Sequence, residues 1–225
     1  MGGIFNMDGP LFRFGNAIAD VMILSLLWIL FSIPLFTIGA STTALFYVAT
    51  RRISDREGYL FRDFLSSFKS NFKRATALWI LWLIMFVVIL LNIRMLMIFE
   101  FETWMITILM PIHICILIEL ILTAVYLYPL TARFEMGFKQ TIKSAFFMAN
   151  RHIFTTVTCL LTGVSILIAT VILFEPIIIV GMGLYAYISS YMIMRVFKKY
   201  RPEMDENQMT LEPLRPLPDI STKED

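Results

Sequence analysis

Apolar runs of about 20 residues recur along this 225-residue chain, and they constrain its fold more than any other feature. A helix needs about 20 apolar residues to cross the hydrocarbon core of a bilayer. Only 16% of the residues are charged, against roughly 25% in soluble domains. We therefore predict an all-α membrane protein with five transmembrane helices and with cytoplasmic amphipathic helices in its loops. The predicted spans are about 17–38, 75–99, 104–128, 153–174 and 177–196.

The first apolar run, from Ala17 to Thr50, is too long for one crossing. As a continuous helix it would measure about 50 Å, whereas the hydrocarbon core is about 30 Å thick. Pro34 and Gly39 mark the expected bend, since proline removes a backbone donor and clashes with the preceding turn. We expect a second short helix to begin at about Ser41 and to run toward the charged loop beyond it.

That charged loop, from Ile53 to Arg74, separates the first two predicted spans. Its spacing predicts an amphipathic helix whose apolar face has two open placements, on the membrane headgroups or against the protein's own helices. The apolar residues of this face recur every four positions, at Leu60, Phe64, Phe68 and Phe72. A second amphipathic helix is predicted in the basic loop 133–151. Its shared face consists of Phe138, Ile142, Ala145 and Ala149.

The distribution of lysine and arginine predicts the orientation of the chain. The flanks at 51–74, 133–151 and 195–201 together hold 15 bases, and the opposite flanks hold two. Because cytoplasmic flanks carry the excess of bases, we predict a multi-pass protein with a cytoplasmic carboxyl-terminus. Five spans then require the amino-terminus to lie outside. Residues 1–200 form one predicted membrane domain, and the proline-rich, acidic residues 201–225 form a predicted disordered cytoplasmic tail.

Glu119 is the most informative polar residue, because it lies inside the third predicted span without a charged neighbour in the sequence. A carboxylate at that depth is costly unless it faces the bundle interior, a partner or a water-filled cavity. Cys115, Thr123 and Tyr126 fall within about 80° of one another and of Glu119 on an ideal helix and complete a polar stripe, the candidate site. Glu119 either binds a proton or contacts a substrate, or it is protonated and hydrogen-bonds a neighbouring helix.

Motifs of known catalytic sites are absent from the sequence. It has no G-x-S-x-G, no P-loop and no G-x-G-x-x-G pattern. The two cysteines, Cys115 and Cys159, lie inside apolar runs and have no ligand-like spacing to a histidine. We therefore predict a protein that is not an enzyme and that holds no metal or cofactor. Because the bases flank spans, attraction to the lipid bilayer explains them better than nucleic-acid binding does.

Four segments of the chain resemble the YesL-like family of bacterial integral membrane proteins, a domain of unknown function. The segments are MGGIFNMDGPLFRFGN, SIPLFTIGASTTALFYV, EGYLFRDFLSSFKSNFKRATALWI and YPLTARFEMGFKQTIKSAFFMANRHIFTT. The resemblance covers about residues 1–200. It implies a protein of the bacterial cell membrane, mainly of Gram-positive bacteria, that is often encoded near carbohydrate-uptake transporters and glycan-degrading enzymes. It implies no activity and no site residues.

Two functional hypotheses are consistent with these features. The first, implied by the resemblance, is a non-enzymatic accessory or regulatory component of carbohydrate uptake that docks beside a carbohydrate ABC transporter. The alternative is a small oligomeric transporter or channel that uses Glu119 inside the membrane.

Overall fold

The computed structural model describes residues 10–53, 59–99, 102–173 and 176–200, which are nearly all helical and contain no β-strand. This confirms the all-α prediction. The helices are α1 (Pro10–Ser32), α2 (Ile38–Ile53), α3 (Leu60–Ile98), α4 (Thr103–Arg133), α5 (Phe138–Arg151), α6 (Ile153–Leu173) and α7 (Pro176–Tyr200). The predicted disordered tail, residues 201–225, lies outside the described residues.

Four of the described helices, α1, α3, α4 and α6, are long and apolar enough to cross a membrane. They also expose large apolar side chains, as surfaces in contact with lipid do. Helix α7 coincides with the fifth predicted span, but it is not one of these four. Its second half carries polar residues, among them Ser189, Ser190 and Arg195. The count of five spans therefore stays a prediction.

The chain bends at Pro34, as predicted, but α1 already ends at Ser32, earlier than expected. A 3₁₀ turn, Leu35–Thr37, separates it from α2. The Thr37 hydroxyl lies 2.6 Å from the carbonyl oxygens of both Phe31 and Pro34. It thereby satisfies backbone groups that the break in the helix sets free.

Helices α1 and α2 form an antiparallel hairpin. Near the bend, Trp28 donates from Nε1 to Thr42 Oγ1 at 3.0 Å. At the open end, Arg52 Nη2 lies 2.9 Å from Asp20 Oδ2. The predicted second short helix is present as α2, which starts at Ile38, slightly earlier than expected, and ends at Ile53, where the charged loop begins. Nearly every residue from 39 to 50 is buried. The glycine, alanine, serine and threonine residues of α2 are small, so neighbouring helices can pack closely around this helix.

The hairpin places the first turns of α1 on the same side of the bundle as the basic end of α2. Helix α3 starts on that side too, because Arg51 Nη1 lies 2.8 Å from Asp63 Oδ1. The predicted outside amino-terminus assumed a single crossing between α1 and the basic loop. The contact between Asp20 and Arg52 places the start of α1 beside the basic end of α2. The orientation of the termini across a membrane stays a prediction.

Helix α3 is one continuous helix of 39 residues, which joins the predicted amphipathic helix to the predicted second span. At 1.5 Å per residue it is about 58 Å long, well beyond a hydrocarbon core of about 30 Å. Its first turns pack on the protein, since the Phe31 ring lies 5.5 Å from Phe64 and 5.0 Å from Phe68. Of the two open placements for this apolar face, the structure has the one against the protein's own helices.

Helix α4 returns along α3, with Trp82 Nε1 donating to the Leu120 carbonyl at 3.0 Å. The predicted end of this span at residue 128 is too early, because α4 continues through Pro129 to Arg133. Proline removes one backbone donor, and membrane helices tolerate this loss where neighbouring groups satisfy the freed carbonyl.

Helix α5 confirms the second predicted amphipathic helix and packs against α4. Ala145 and Ala149 are fully buried and Ile142 is partly buried, as expected of the shared face. Phe138, however, is exposed. It is the first residue of the helix.

Helices α6 and α7 form a second antiparallel pair. His152 Nε2 lies 3.0 Å from Tyr200 Oη at one end, and Gly163 faces the Tyr185 ring in the middle. Helix α7 also packs against α1, where the Gly183 backbone N–H donates to Ser25 Oγ at 2.7 Å.

Candidate functional site

The Glu119 carboxylate lies against another helix. Its Oε1 accepts a hydrogen bond from Asn150 Nδ2 of α5 at 2.7 Å and one from Thr123 Oγ1 at 3.4 Å. This is the arrangement expected if Glu119 joins two helices. That Glu119 binds a proton or contacts a substrate stays a prediction.

The four residues of the predicted stripe do not converge on one site. Cys115 is exposed, whereas Tyr126 is fully buried. On an ideal helix the four residues share one face of α4, but the burial of this face changes along the helix. The first turns of α4 expose apolar side chains, and residues 125–133 are buried in the bundle.

Replacing Glu119 with glutamine is expected to change stability little, because the amide oxygen still accepts from Asn150. Replacing it with leucine removes that acceptor and is expected to cost about 1 kcal/mol. For a protein of this size the cost corresponds to a fall of about 2–4 °C in the melting temperature. Thermal unfolding of both variants in the same detergent measures the difference. Equal losses for glutamine and leucine would show that the bond to Asn150 does not matter.

A polar cleft lies where α2, α3 and the end of α4 meet, with a cavity volume of about 310 Å³. Small-molecule sites are typically clefts of about 300–1,000 Å³, so this one suits a small ligand. We call it the serine cleft. It is lined by Tyr47, Ser66, Ser67, Ser70, Asn71, Arg74, Thr131, Ala132, Phe134 and Glu135.

Local sequence explains why these groups meet. Five of the lining residues, from Ser66 to Arg74, recur on α3 at spacings that place them on one face. This is the polar face of the segment whose apolar face carries Phe64 and Phe68. Tyr47 is the one residue between positions 39 and 50 of α2 that is only half-buried, and it lines the cleft.

Arg74 fixes the far wall of the serine cleft. Its Nη2 donates to the Phe134 carbonyl at 2.8 Å and so holds the segment after α4 against α3. The Glu135 carboxylate is close enough to act electrostatically on this guanidinium. On the same wall, Asn71 Nδ2 donates to the Ser67 carbonyl at 3.2 Å. The cleft therefore offers hydroxyls, an amide and one charge of each sign.

Sequence reasoning missed the serine cleft, although a signal was present. The spacing of Ser67, Ser70, Asn71 and Arg74 marks a polar stripe, but on an amphipathic helix such a stripe usually faces solvent. Only the return of α4 to the same level, through Phe134, turns that stripe into a cleft. In the described part of the chain, no three His, Cys, Asp or Glu side chains are grouped closely enough to hold a metal ion.

A family described as "Protein of unknown function, DUF624" matches residues 21–93. The match covers about half of α1, all of α2 and most of α3, about a third of the chain. It is consistent with the YesL-like resemblance, although it does not carry that name. No curated protein and no solved structure matches the chain. Over its first three helices the chain is therefore similar to a family whose function is unknown.

Proposed function

We propose that the protein is a non-enzymatic accessory or regulatory component of the bacterial cell membrane, associated with carbohydrate uptake. The YesL-like resemblance supports this proposal, because proteins of that family are often encoded near carbohydrate transporters. The serine cleft is the one structural observation that carries it. A sugar presents many hydroxyl groups, and the cleft presents hydroxyls, an amide and opposite charges that hydrogen-bond them.

Binding rather than catalysis is the role that the cleft supports best. Its described lining residues include no histidine or cysteine, and its serines have no imidazole beside them to activate a hydroxyl. Tyr47 adds an aromatic ring at the wall, and ring faces of this kind pack against the apolar side of a sugar. In the proposed role, a sugar bound in the cleft changes how the protein binds its partner, a carbohydrate ABC transporter.

The proposed orientation places the serine cleft in contact with the cytoplasm. Three of the bases that mark the predicted cytoplasmic side, Arg51, Arg74 and Arg133, lie on the helices that form the cleft. Since α1 and α2 form a hairpin, the amino-terminal end of α1 belongs on the same side. We therefore propose that both ends of the chain are cytoplasmic.

Replacing Ser70 with leucine should weaken sugar binding at least about tenfold, because the larger apolar side chain fills the cleft and removes a hydroxyl. Binding is measured by isothermal titration on protein in nanodiscs, with glucose, cellobiose, galacturonic acid and glucose 6-phosphate as probes. The matched control is Thr158→Leu, which makes the same kind of change on the exposed surface of α6.

The expected result is that at least one probe binds, that Ser70→Leu weakens its binding at least about tenfold and that Thr158→Leu leaves it unchanged. If no probe binds, or if both variants weaken binding equally, the cleft is not a sugar site. The partner is tested separately, by crosslinking in intact membranes and purification in mild detergent. Failure to recover a carbohydrate-transporter component across several crosslinkers would contradict the accessory role.

A further inference from the structure

A second pocket of about 290 Å³ lies at the junction of α5, α6 and α7, away from the serine cleft. We call it the basic pocket. None of the described side chains that line it is acidic, and two of them, Arg195 and Lys199, are cations one turn apart on α7. Its lining residues are His152, Thr155, Met192, Arg195, Val196 and Lys199.

No carboxylate of the described residues forms an ion pair with either cation. The ion pairs of Arg51 with Asp63 and of Arg52 with Asp20 both lie outside the basic pocket. Arg195 is oriented by a tyrosine instead. Its guanidinium carbon lies 4.5 Å from the centre of the Tyr191 ring, and its Nη2 donates to the hydroxyl of the same residue at 2.7 Å. A guanidinium has five N–H donors, so those that do not contact Tyr191 can bind an anion.

Two positive charges act on the imidazole of His152, which lines the basic pocket. Burial lowers its pKa, and the charges of Lys199 and Arg151 lower it further. Arg151 thus lies close to the basic pocket as well. His152 Nε2 lies 3.0 Å from the Tyr200 hydroxyl, and this hydrogen bond holds the ring in place.

An apolar surface begins directly beside the basic pocket. Phe154, at the start of α6, is 88% exposed, and Ile153, Tyr191 and Ile188 are exposed as well. Helix α6 is one of the four that are long and apolar enough to cross a membrane. The pocket therefore lies at the level where an apolar helix surface gives way to a rim of bases, which is where lipid headgroups lie.

We propose that the basic pocket binds the phosphate of an anionic phospholipid, whose acyl chains lie along the exposed apolar surface of α6 and α7. Free phosphate shares the charge but leaves Phe154 and its neighbours uncovered, so the lipid is the occupant that fits both features. Clusters of lysine and arginine beside membrane helices attract anionic lipid in this way.

The test compares lipid retention by native mass spectrometry after reconstitution with phosphatidylglycerol and phosphatidylcholine in equal amounts. The wild-type protein should retain phosphatidylglycerol preferentially. The double variant Arg195→Gln with Lys199→Gln should lose this preference by about tenfold or more. The matched control is Lys69→Gln with Lys73→Gln, which removes two exposed bases at the same spacing from α3. A charge-conserving variant, Arg195→Lys with Lys199→Arg, should keep most of the preference.

Three results would overturn the proposal. Equal retention of both lipids by the wild-type protein would show that the pocket does not select anions. Equal losses in the α3 control would show a general effect of charge. If inorganic phosphate at millimolar concentration displaces phosphatidylglycerol completely, the site is one for free phosphate and the acyl chains contribute nothing. Size-exclusion profiles confirm that each variant is folded before its lipids are compared.

Discussion

Replacing Gly39 with leucine is expected to destabilise the protein by at least about 3 kcal/mol, because α2 and α3 touch at this residue. A Cβ at Gly39 would lie 2.5 Å from the Ala75 carbonyl oxygen and 2.6 Å from Trp79 Cβ. The backbone of α3 cannot move aside as a flexible side chain can, so α2 and α3 must separate. The expected fall in melting temperature is about 6–12 °C.

The control for this substitution is Gly15→Leu on α1. An added Cβ at Gly15 meets nothing within 4 Å. Thermal unfolding of both variants, followed by loss of the monodisperse peak in size-exclusion chromatography, gives the comparison. If Gly39→Leu melts within about 2 °C of Gly15→Leu, then α2 does not pack against α3 as described.

Replacing Gly183 with alanine is the second substitution with a large expected effect. A Cβ there would collide with the Val21 carbonyl oxygen and lie 2.7 Å from Ser25 Oγ, which already accepts the Gly183 backbone N–H. One methyl group is therefore expected to cost about 2–3 kcal/mol, by forcing α7 away from α1.

Gly163→Ala provides the matched comparison, since its Cβ would meet the Tyr185 ring at 3.2 Å. A ring on a side chain can shift by a few tenths of an ångström, so the expected cost is below about 1 kcal/mol. The ratio of unfolded to folded protein in a titration with denaturing detergent measures both variants. A larger loss for Gly163→Ala than for Gly183→Ala would contradict the packing of α1 on α7.

The positions of the helices could be predicted from apolar length, but the path between the first two could not. Pro34 correctly indicated a bend. The course of the chain after the bend depends on contacts distant in sequence, such as Gly39 with Ala75 and Arg52 with Asp20. Hydropathy describes how apolar a segment is. It does not distinguish a helix that leaves the membrane from one that folds back into the centre of the bundle.

The joined helix α3 shows a different limit. The change from charged to apolar composition near residue 75 was interpreted as a boundary between two helices. Yet no glycine or proline occurs between Leu60 and Ile98, so nothing in the backbone ends the helix there. Composition marks where a helix enters the membrane, whereas backbone chemistry decides where it stops.

The predicted site shows why side-chain contacts are harder to predict than helices. The isolation of Glu119 from other charges was visible in the sequence, but its partner Asn150 lies on a helix that only the fold brings near. The serine cleft likewise needs α2, α3 and the end of α4 together. Each helix contributes polar groups that, on its own, would be interpreted as a solvated face.

The central claim is that α1 and α2 form a hairpin with both of its ends on one side of the membrane. Single cysteines at Gly15, Tyr59 and Glu102, in a protein with Cys115→Ser and Cys159→Ala, test it through labelling of intact cells by a membrane-impermeant thiol reagent. The hairpin predicts that residues 15 and 59 are both protected until the cells are opened, while residue 102 is labelled from outside. Labelling of residue 15 together with residue 102, and not with residue 59, would contradict it.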